Sequence, residues 1–221
     1  MENLTFDEII STASHYGIIW RGTYGDAECV IKMVGLTSGL HYNKPEKCYY
    51  SGKKNIKTSQ AEKMLSQDDQ SPFYHSLYLE RKAMTRDKFN HEAKMIRNLN
   101  KMDLAPELFD VFINDNYPIH YGFIVMEYMP VNLKALIGER DYTPNEFKLI
   151  QATIKRLHKK GLCHGDMKPS NMGAYANEYG EVDRILFLDL AKVRRTDSEK
   201  DFERDRKTFA LHMKTNKQDA R

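Results

Sequence analysis

The sequence predicts an α+β fold built as two lobes. Short β-type runs come first, then an amphipathic helix, two more apolar runs and a mainly helical remainder. The chain has 221 residues, of which 41% are hydrophobic, enough to bury a core in each of two small lobes.

The first strands are read from Gly17-Ile-Ile-Trp20 and Cys29-Val-Ile-Lys-Met33, with Gly25-Asp26 supplying a tight turn between them. From about 35 to 80 the sequence mixes Ser, Lys, Asn and Gln with scattered aromatics and holds no period, so this stretch reads as an insertion, partly ordered at best. Phe89, Ala93, Ile96 and Leu99 then fall on one helical face with Glu92 beside it. Leu104-Ala-Pro-Glu-Leu108 ends that helix. The runs Phe109–Ile113 and His120–Met129 follow, separated by the turn residues Asn-Asp-Asn-Tyr-Pro.

The plainest helix start is Thr143-Pro144-Asn145-Glu146, a capping box with proline at the first helical position. Phe147, Ile150, Ile154 and Leu157 form its expected buried stripe, and Gly161 stops it. Ile185–Leu188 reads as a buried strand. A charged amphipathic helix carrying Phe202, Phe209, Ala210 and Met213 comes last.

Composition excludes several classes. Lys plus Arg is 34 against 31 for Asp plus Glu, and a net charge of +3 gives no bulk case for nucleic acid. No apolar run approaches the ~20 residues of a membrane span, and the acidic start MENLTFDEIISTASH is unlike a signal peptide. The three cysteines, Cys29, Cys48 and Cys163, have neither CxxC spacing nor an even count, so no disulfide framework or zinc site is expected. The expectation is a cytoplasmic protein of a reducing compartment.

Cys163-His-Gly-Asp-Met-Lys-Pro-Ser-Asn-Met172 carries the most chemistry. It sets Asp166, Lys168 and Asn171 in one loop. A carboxylate can orient a hydroxyl nucleophile, an ammonium can hold a phosphoryl group, and an amide oxygen can bind a hard metal. Asp189 stands at the end of a buried strand, where Mg²⁺ or a simple turn would both suit it. Lys32 lies within an apolar strand and must be paired or solvated. Glu92 is its natural partner. Each of these residues taken alone also has an ordinary structural role, as a solvated charge or a turn former.

Their order along the chain resembles the protein kinase superfamily. Lys32 matches the third-strand lysine and Glu92, in Phe-Asn-His-Glu-Ala-Lys-Met-Ile, the glutamate of helix C. Val125-Met-Glu-Tyr-Met129 is similar to the hinge, with Met126 as gatekeeper and the Glu127 and Met129 backbones facing adenine. His164-Gly-Asp-Met-Lys-Pro-Ser-Asn171 is similar to the catalytic loop, and Asp189-Leu-Ala191 stands where Asp-Phe-Gly is expected. The resemblance implies a bilobal kinase-like fold, with an N-lobe and hinge over 1–129 and a truncated C-lobe over 130–221. It also implies roles. Lys32 holds the α- and β-phosphates of ATP and Glu92 orients it; Asn171 and Asp189 bind Mg²⁺; Asp166 orients the acceptor hydroxyl; and Lys168 steadies the γ-phosphate.

The departures from the family pattern are informative. In the glycine-rich loop, aligning Gly17 on the third glycine puts Thr12 and Ser14 at the first two, with the Ser14 hydroxyl as the substitute phosphate ligand. Gly165 replaces the arginine that pairs with a phosphorylated activation loop, which implies activity without that switch. The His-Gly-Asp form is similar to vaccinia-related kinases and to aminoglycoside and choline kinases, whereas Lys168 is the protein Ser/Thr kinase version. Ala174–Asp183 reads as a hairpin between Asn171 and Asp189. Little chain follows Asp189, with no Ala-Pro-Glu motif, and Asp205 stands in for the helix F aspartate. Such minimal forms resemble Rio kinases, the kinase subunit of the KEOPS complex, and kinases of large DNA viruses or bacterial effectors.

The leading expectation is therefore an ATP- and Mg²⁺-dependent Ser/Thr protein kinase with a protein substrate, a host or regulatory protein as partner, and a host-cytoplasmic location if viral or secreted. A small-molecule hydroxyl kinase and a pseudokinase acting as a binding module are the alternatives. Nucleic-acid binding through Lys53, Lys54, Lys57, Tyr49 and Tyr50 is disfavoured, because Glu46, Glu62, Asp68 and Asp69 interrupt the basic stretch.

Overall fold

The computed structural model describes residues 3–12, 16–67, 77–79 and 81–219. The chain divides into two compact units, Met1–Ala93 with Leu108–Tyr128, and Lys94–Glu107 with Met129–Arg221.

The first unit is built on a five-stranded antiparallel sheet of β1 (Glu8–Ser11), β2 (Gly17–Tyr24), β3 (Ala27–Leu36), β7 (Leu108–Asn114) and β8 (His120–Glu127), in the order β1-β2-β3-β8-β7. The strands expected from Gly17–Trp20 and Cys29–Met33 are β2 and β3, joined by the turn at Gly25-Asp26. Strand period decides what faces the core. Trp20 pairs with Ile31 and Ile31 with Val125, and these three join Ile18, Cys29 and Phe123 in one buried cluster. Lys32 is therefore turned to the opposite face of the sheet, the side on which Glu92 meets it. Glu92 is carried by helix α2 (Arg86–Asn100), whose Phe89, Ala93, Ile96 and Leu99 are all buried as their spacing predicts.

The stretch expected to be a partly ordered insertion is regular over most of its described length. It forms the antiparallel sheet β4 (Leu40–Asn43), β5 (Cys48–Ser51), β6 (Lys54–Ile56), followed by helix α1 (Thr58–Ser66). Leu40 and Ala61 are fully buried in the same cluster as Trp20, and Tyr49, Ile56 and Leu65 pack against it. Cross-strand aromatic pairs hold the small sheet. Tyr42 and Tyr49 rings lie 5.0 Å apart and His41 and Tyr50 rings 5.8 Å. Strands of three or four residues are too short to show a period, which is why the sequence pattern missed them.

The second unit contains β9 (Val131–Asn132), α3 (Leu133–Glu139), α4 (Pro144–Lys159), β10 (Leu162–Cys163), β11 (Met172–Ala176), β12 (Val182–Phe187), β13 (Arg194–Arg195) and α5 (Glu199–Asp219). Strands β12-β11-β9 make one small sheet and β10-β13 another, both antiparallel. The expected hairpin is β11–β12.

Helix α4 starts as read. Thr143 Oγ1 accepts from the Glu146 amide at 3.2 Å, and Glu146 Oε2 accepts from the Thr143 amide at 2.8 Å. Its buried stripe is Ile150, Thr153, Ile154 and Leu157. Phe147 is not part of it and is 43% exposed. In that first turn the buried position is taken by Glu146, drawn in by the cap and by Arg140. On α5 Phe209 is buried while Ala210 is exposed, so the apolar face is narrower than expected.

Candidate phosphotransfer site

In the first unit, Lys32 Nζ lies 2.6 Å from Glu92 Oε1, with the two residues 5% and 1% exposed. Taking an ion pair out of water brings little net stability, so burial alone does not account for the pair. Gly17 opens β2 opposite Val34, and a Cβ there would lie 2.1 Å from the Met33 carbonyl oxygen. Packing against β3 thus demands glycine at this position. Ser14 lies outside the described residues. The β1–β2 connection is held at its ends by a residue that the sequence did not single out. Arg81 donates to the carbonyls of Thr12 at 2.6 Å, Gly17 at 3.1 Å and Leu77. Met126 is buried near the end of β8, paired with Val30, and Glu127 follows, paired with Cys29.

In the second unit, the loop from Cys163 to Met172 is fixed from below. Asp205, on α5 and 2% exposed, accepts from the amides of His164 at 2.7 Å and Gly165 at 3.0 Å, and meets His158 Nε2 at 3.2 Å. Burial pushes the Asp205 carboxyl up, but these donors more than offset it and hold the group below its ordinary range. His164 is fully buried, and its Nε2 donates to the Leu188 carbonyl at 3.0 Å. Burial lowers its pKa, so the ring stays neutral and acts as a strut.

The loop brings together Asp166, Lys168 and Asn171. Lys168 Nζ lies 3.4 Å from Asp166 Oδ2, and Asn171 Nδ2 donates to the Asp166 carbonyl at 2.9 Å. Lys192, a second residue not singled out from sequence, places its Nζ 3.2 Å from the same Oδ2. Burial raises the Asp166 carboxyl, and the ammonium groups of Lys192 and Lys168 outweigh that and hold it below the usual carboxylate range. Asp189 follows β12 in the left-handed conformation, φ +52°, and opens the 3-10 turn Leu190–Lys192. The amide of its neighbour Leu188 donates to the Asn171 carbonyl at 2.8 Å, tying the two loops together.

Asn171 and Asp189 suit a magnesium ion. Both offer hard oxygen donors, and the Asn171 side-chain nitrogen is committed to Asp166, which leaves the amide oxygen as its remaining ligand atom. Among the described residues no three His, Cys, Asp or Glu side chains gather into a metal cluster. Beside Lys168 an open cleft is lined by Lys134, Pro169, Ser170 and His212. Met129, the last of the hinge-like residues, packs with its sulfur against Gly173 of β11.

The sequence matches the lipopolysaccharide kinase (Kdo/WaaP) family over residues 48–220, most of its length. The chain belongs to this family. It is thus a member of the protein kinase-like superfamily and a kinase-type transferase, and its mixed helices and antiparallel sheet agree with a kinase-like α+β fold. The match takes in Glu92, Asp166, Lys168, Asn171, Asp189 and Asp205, and begins after Lys32. No curated protein matches the chain. Among the described residues no helix is long and apolar enough to cross a membrane.

Proposed function

We propose that this protein transfers the γ-phosphoryl group of ATP, with Mg²⁺, to a hydroxyl of a saccharide acceptor. The observation that carries the reading is the loop His164–Asn171, its backbone pinned at His164 and Gly165 by Asp205 and its Asp166 carboxylate flanked by ammonium groups. Phosphoryl transfer needs positioning and charge neutralisation more than covalent chemistry. In this reading Lys32, oriented by Glu92, engages the ATP phosphates; Met126, Glu127 and Met129 border the adenine; and Asn171 and Asp189 hold Mg²⁺, which neutralises phosphate charge. Asp166 orients the acceptor hydroxyl and takes its proton, and Lys168 steadies the transferring group. The acceptor approaches through the cleft beside Lys168. Its class is taken from the family, whose name specifies lipopolysaccharide.

A second reading, a Ser/Thr protein kinase, is favoured by one feature. Lys168 stands two residues after Asp166, the arrangement of protein Ser/Thr kinases. In either case Gly165 in place of an arginine supports activity without activation-loop phosphorylation.

Transfer from γ-labelled ATP, assayed in parallel with lipopolysaccharide core saccharides and with generic protein acceptors, separates the two. Label on saccharide, lost in Asp166→Ala and Asp189→Ala, is the expected result. Label on protein alone makes the second reading correct. No transfer to either, by a protein that melts at the same temperature with and without Mg·ATP, rejects both.

A further inference from the structure

Two ammonium groups converge on one oxygen of Asp166. Lys168 Nζ lies 3.4 Å and Lys192 Nζ 3.2 Å from Oδ2, and Oδ1 has no hydrogen-bond partner among the described residues. A carboxylate gripped at one oxygen loses its freedom to rotate about the bond to Cβ, and here both ammonium contacts fall on Oδ2 and none on Oδ1.

Lys168 shares the loop with Asp166, so its proximity follows from local sequence. The proximity of Lys192 does not. It depends on the backbone after Asp189 passing close over residue 165. A Cβ on Gly165 would lie 2.8 Å from the Lys192 carbonyl oxygen and 3.1 Å from Lys192 Cβ, and Gly165 has φ +77°. Only glycine permits both the conformation and the approach. The passing segment is itself tethered. Val193 N–H donates to Leu190 at 3.1 Å, Arg194-Arg195 pairs with Leu162-Cys163 as β13 on β10, and Arg194 meets Asp201 at 2.8 Å. The ammonium is delivered from a fixed base.

We infer that Lys192 is a positioning residue for phosphoryl transfer: with Lys168 it clamps Oδ2 of Asp166 so that Oδ1 faces the acceptor hydroxyl, and Gly165 is the vacancy that lets it reach. This rests on the kinase reading above for its catalytic consequence, though not for the clamp itself. The Lys192 side chain is 54% exposed, and an ion pair that open contributes little to folding. Its removal should therefore leave the fold intact while changing the reaction.

The test uses the full chain as wild type, Lys192→Met, Lys192→Arg and Gly165→Ala. In steady-state transfer assays, Lys192→Met is expected to lower kcat by about ten-fold, with the KM for ATP within about two-fold and an unchanged thermal midpoint. Lys192→Arg, which keeps the charge on an exposed side chain, is expected to recover most of the rate. Gly165→Ala is expected to mimic Lys192→Met, and the double variant to be no slower than either, because both remove one clamp. Crystal structures of the ligand-free wild type and Lys192→Met proteins give the readout that does not require activity, with the Asp166 carboxylate expected to turn away in the variant. Unchanged kcat with an unmoved carboxylate overturns the inference, and so does an equal loss in Lys192→Met and Lys192→Arg. If the wild type transfers no phosphate to any acceptor, the kinase reading falls. The carboxylate orientation then decides the clamp alone, reorientation supporting it and an unmoved group overturning it.

Discussion

The carboxylate of Asp205 accepts the main-chain amide of His164 at 2.7 Å, across 41 positions of sequence, and the amide of Gly165 at 3.0 Å. One side chain on the last helix thereby sets the backbone from which Asp166 projects. Replacing it with alanine leaves two inward-facing amides unpaired, and an unsatisfied buried polar group costs about 1–3 kcal/mol. Asp205→Ala is expected to lose about 3 kcal/mol in urea denaturation and to lose phosphotransfer more steeply than the fraction unfolded explains. Wild-type stability with full activity would show that the loop holds itself.

The Lys32–Glu92 pair makes a different prediction, because both partners are buried. Removing one leaves a buried charge without its nearest counter-charge, which costs about 3–5 kcal/mol, whereas replacing both with apolar residues is often neutral. Glu92→Gln and Lys32→Met are each expected to melt well below wild type, and Lys32→Met/Glu92→Leu above either single variant. All three are expected to lack phosphotransfer. A double variant less stable than both singles would mean that the pair is a net source of stability.

Much of this is legible in the sequence wherever an apolar run or a helical period stands between clear turn residues. β2, β3 and β8 follow from short β-branched or apolar runs bounded by turn residues, α2 and α4 from helical spacing, and the Thr143–Glu146 cap is the expected box. The Lys32–Glu92 pair follows from the residue types and their surroundings, and the grouping of Asp166, Lys168 and Asn171 from their spacing. The β4–β6 sheet was not legible, since its strands are too short for a pattern and their core partners, such as Trp20, are distant in sequence. Arg81 and Lys192 left no signal either. Arg81 acts through backbone carbonyls, which every residue has, and the reach of Lys192 depends on the path of the turn after Asp189. Phe147 falls on the predicted stripe yet is exposed, because periodicity records the angle around a helix and is blind to where the packed surface ends.

Glu146 gives a pH prediction. The Arg140 guanidinium, at 2.6 and 2.8 Å, chiefly lowers its carboxyl, and the cap bonds to Thr143 add to this against burial, bringing it to about 2. A carboxyl depressed in the folded state stabilises fully above its unfolded pKa of about 4.3. That stabilisation is lost as pH falls toward 2. Glu146→Gln is expected to be less stable than wild type by about 2 kcal/mol at pH 7. The difference should shrink between about pH 4.3 and the folded value. Urea titrations of both proteins at pH 7, 4 and 3 check this. A gap independent of pH would assign the loss to shape rather than charge.

On the proposed kinase reading, Arg81 offers a test of how the first unit meets nucleotide. Its guanidinium spans the carbonyls of Thr12 and Gly17, at 2.6 and 3.1 Å, so the two ends of the β1–β2 connection are held by one side chain. Chain ends fixed before binding lower the ordering cost paid on meeting a ligand. Arg81→Ala is thus expected to raise the KM for ATP by about five- to ten-fold, the equivalent of about 1 kcal/mol of binding, with kcat nearly unchanged. Arg81→Lys, which carries the charge but not the fork, is expected to behave like alanine, since one ammonium cannot serve three separated carbonyls. Recovery of ATP affinity in Arg81→Lys would instead mean that positive charge near the phosphates, and not the clasp on the backbone, is what Arg81 contributes.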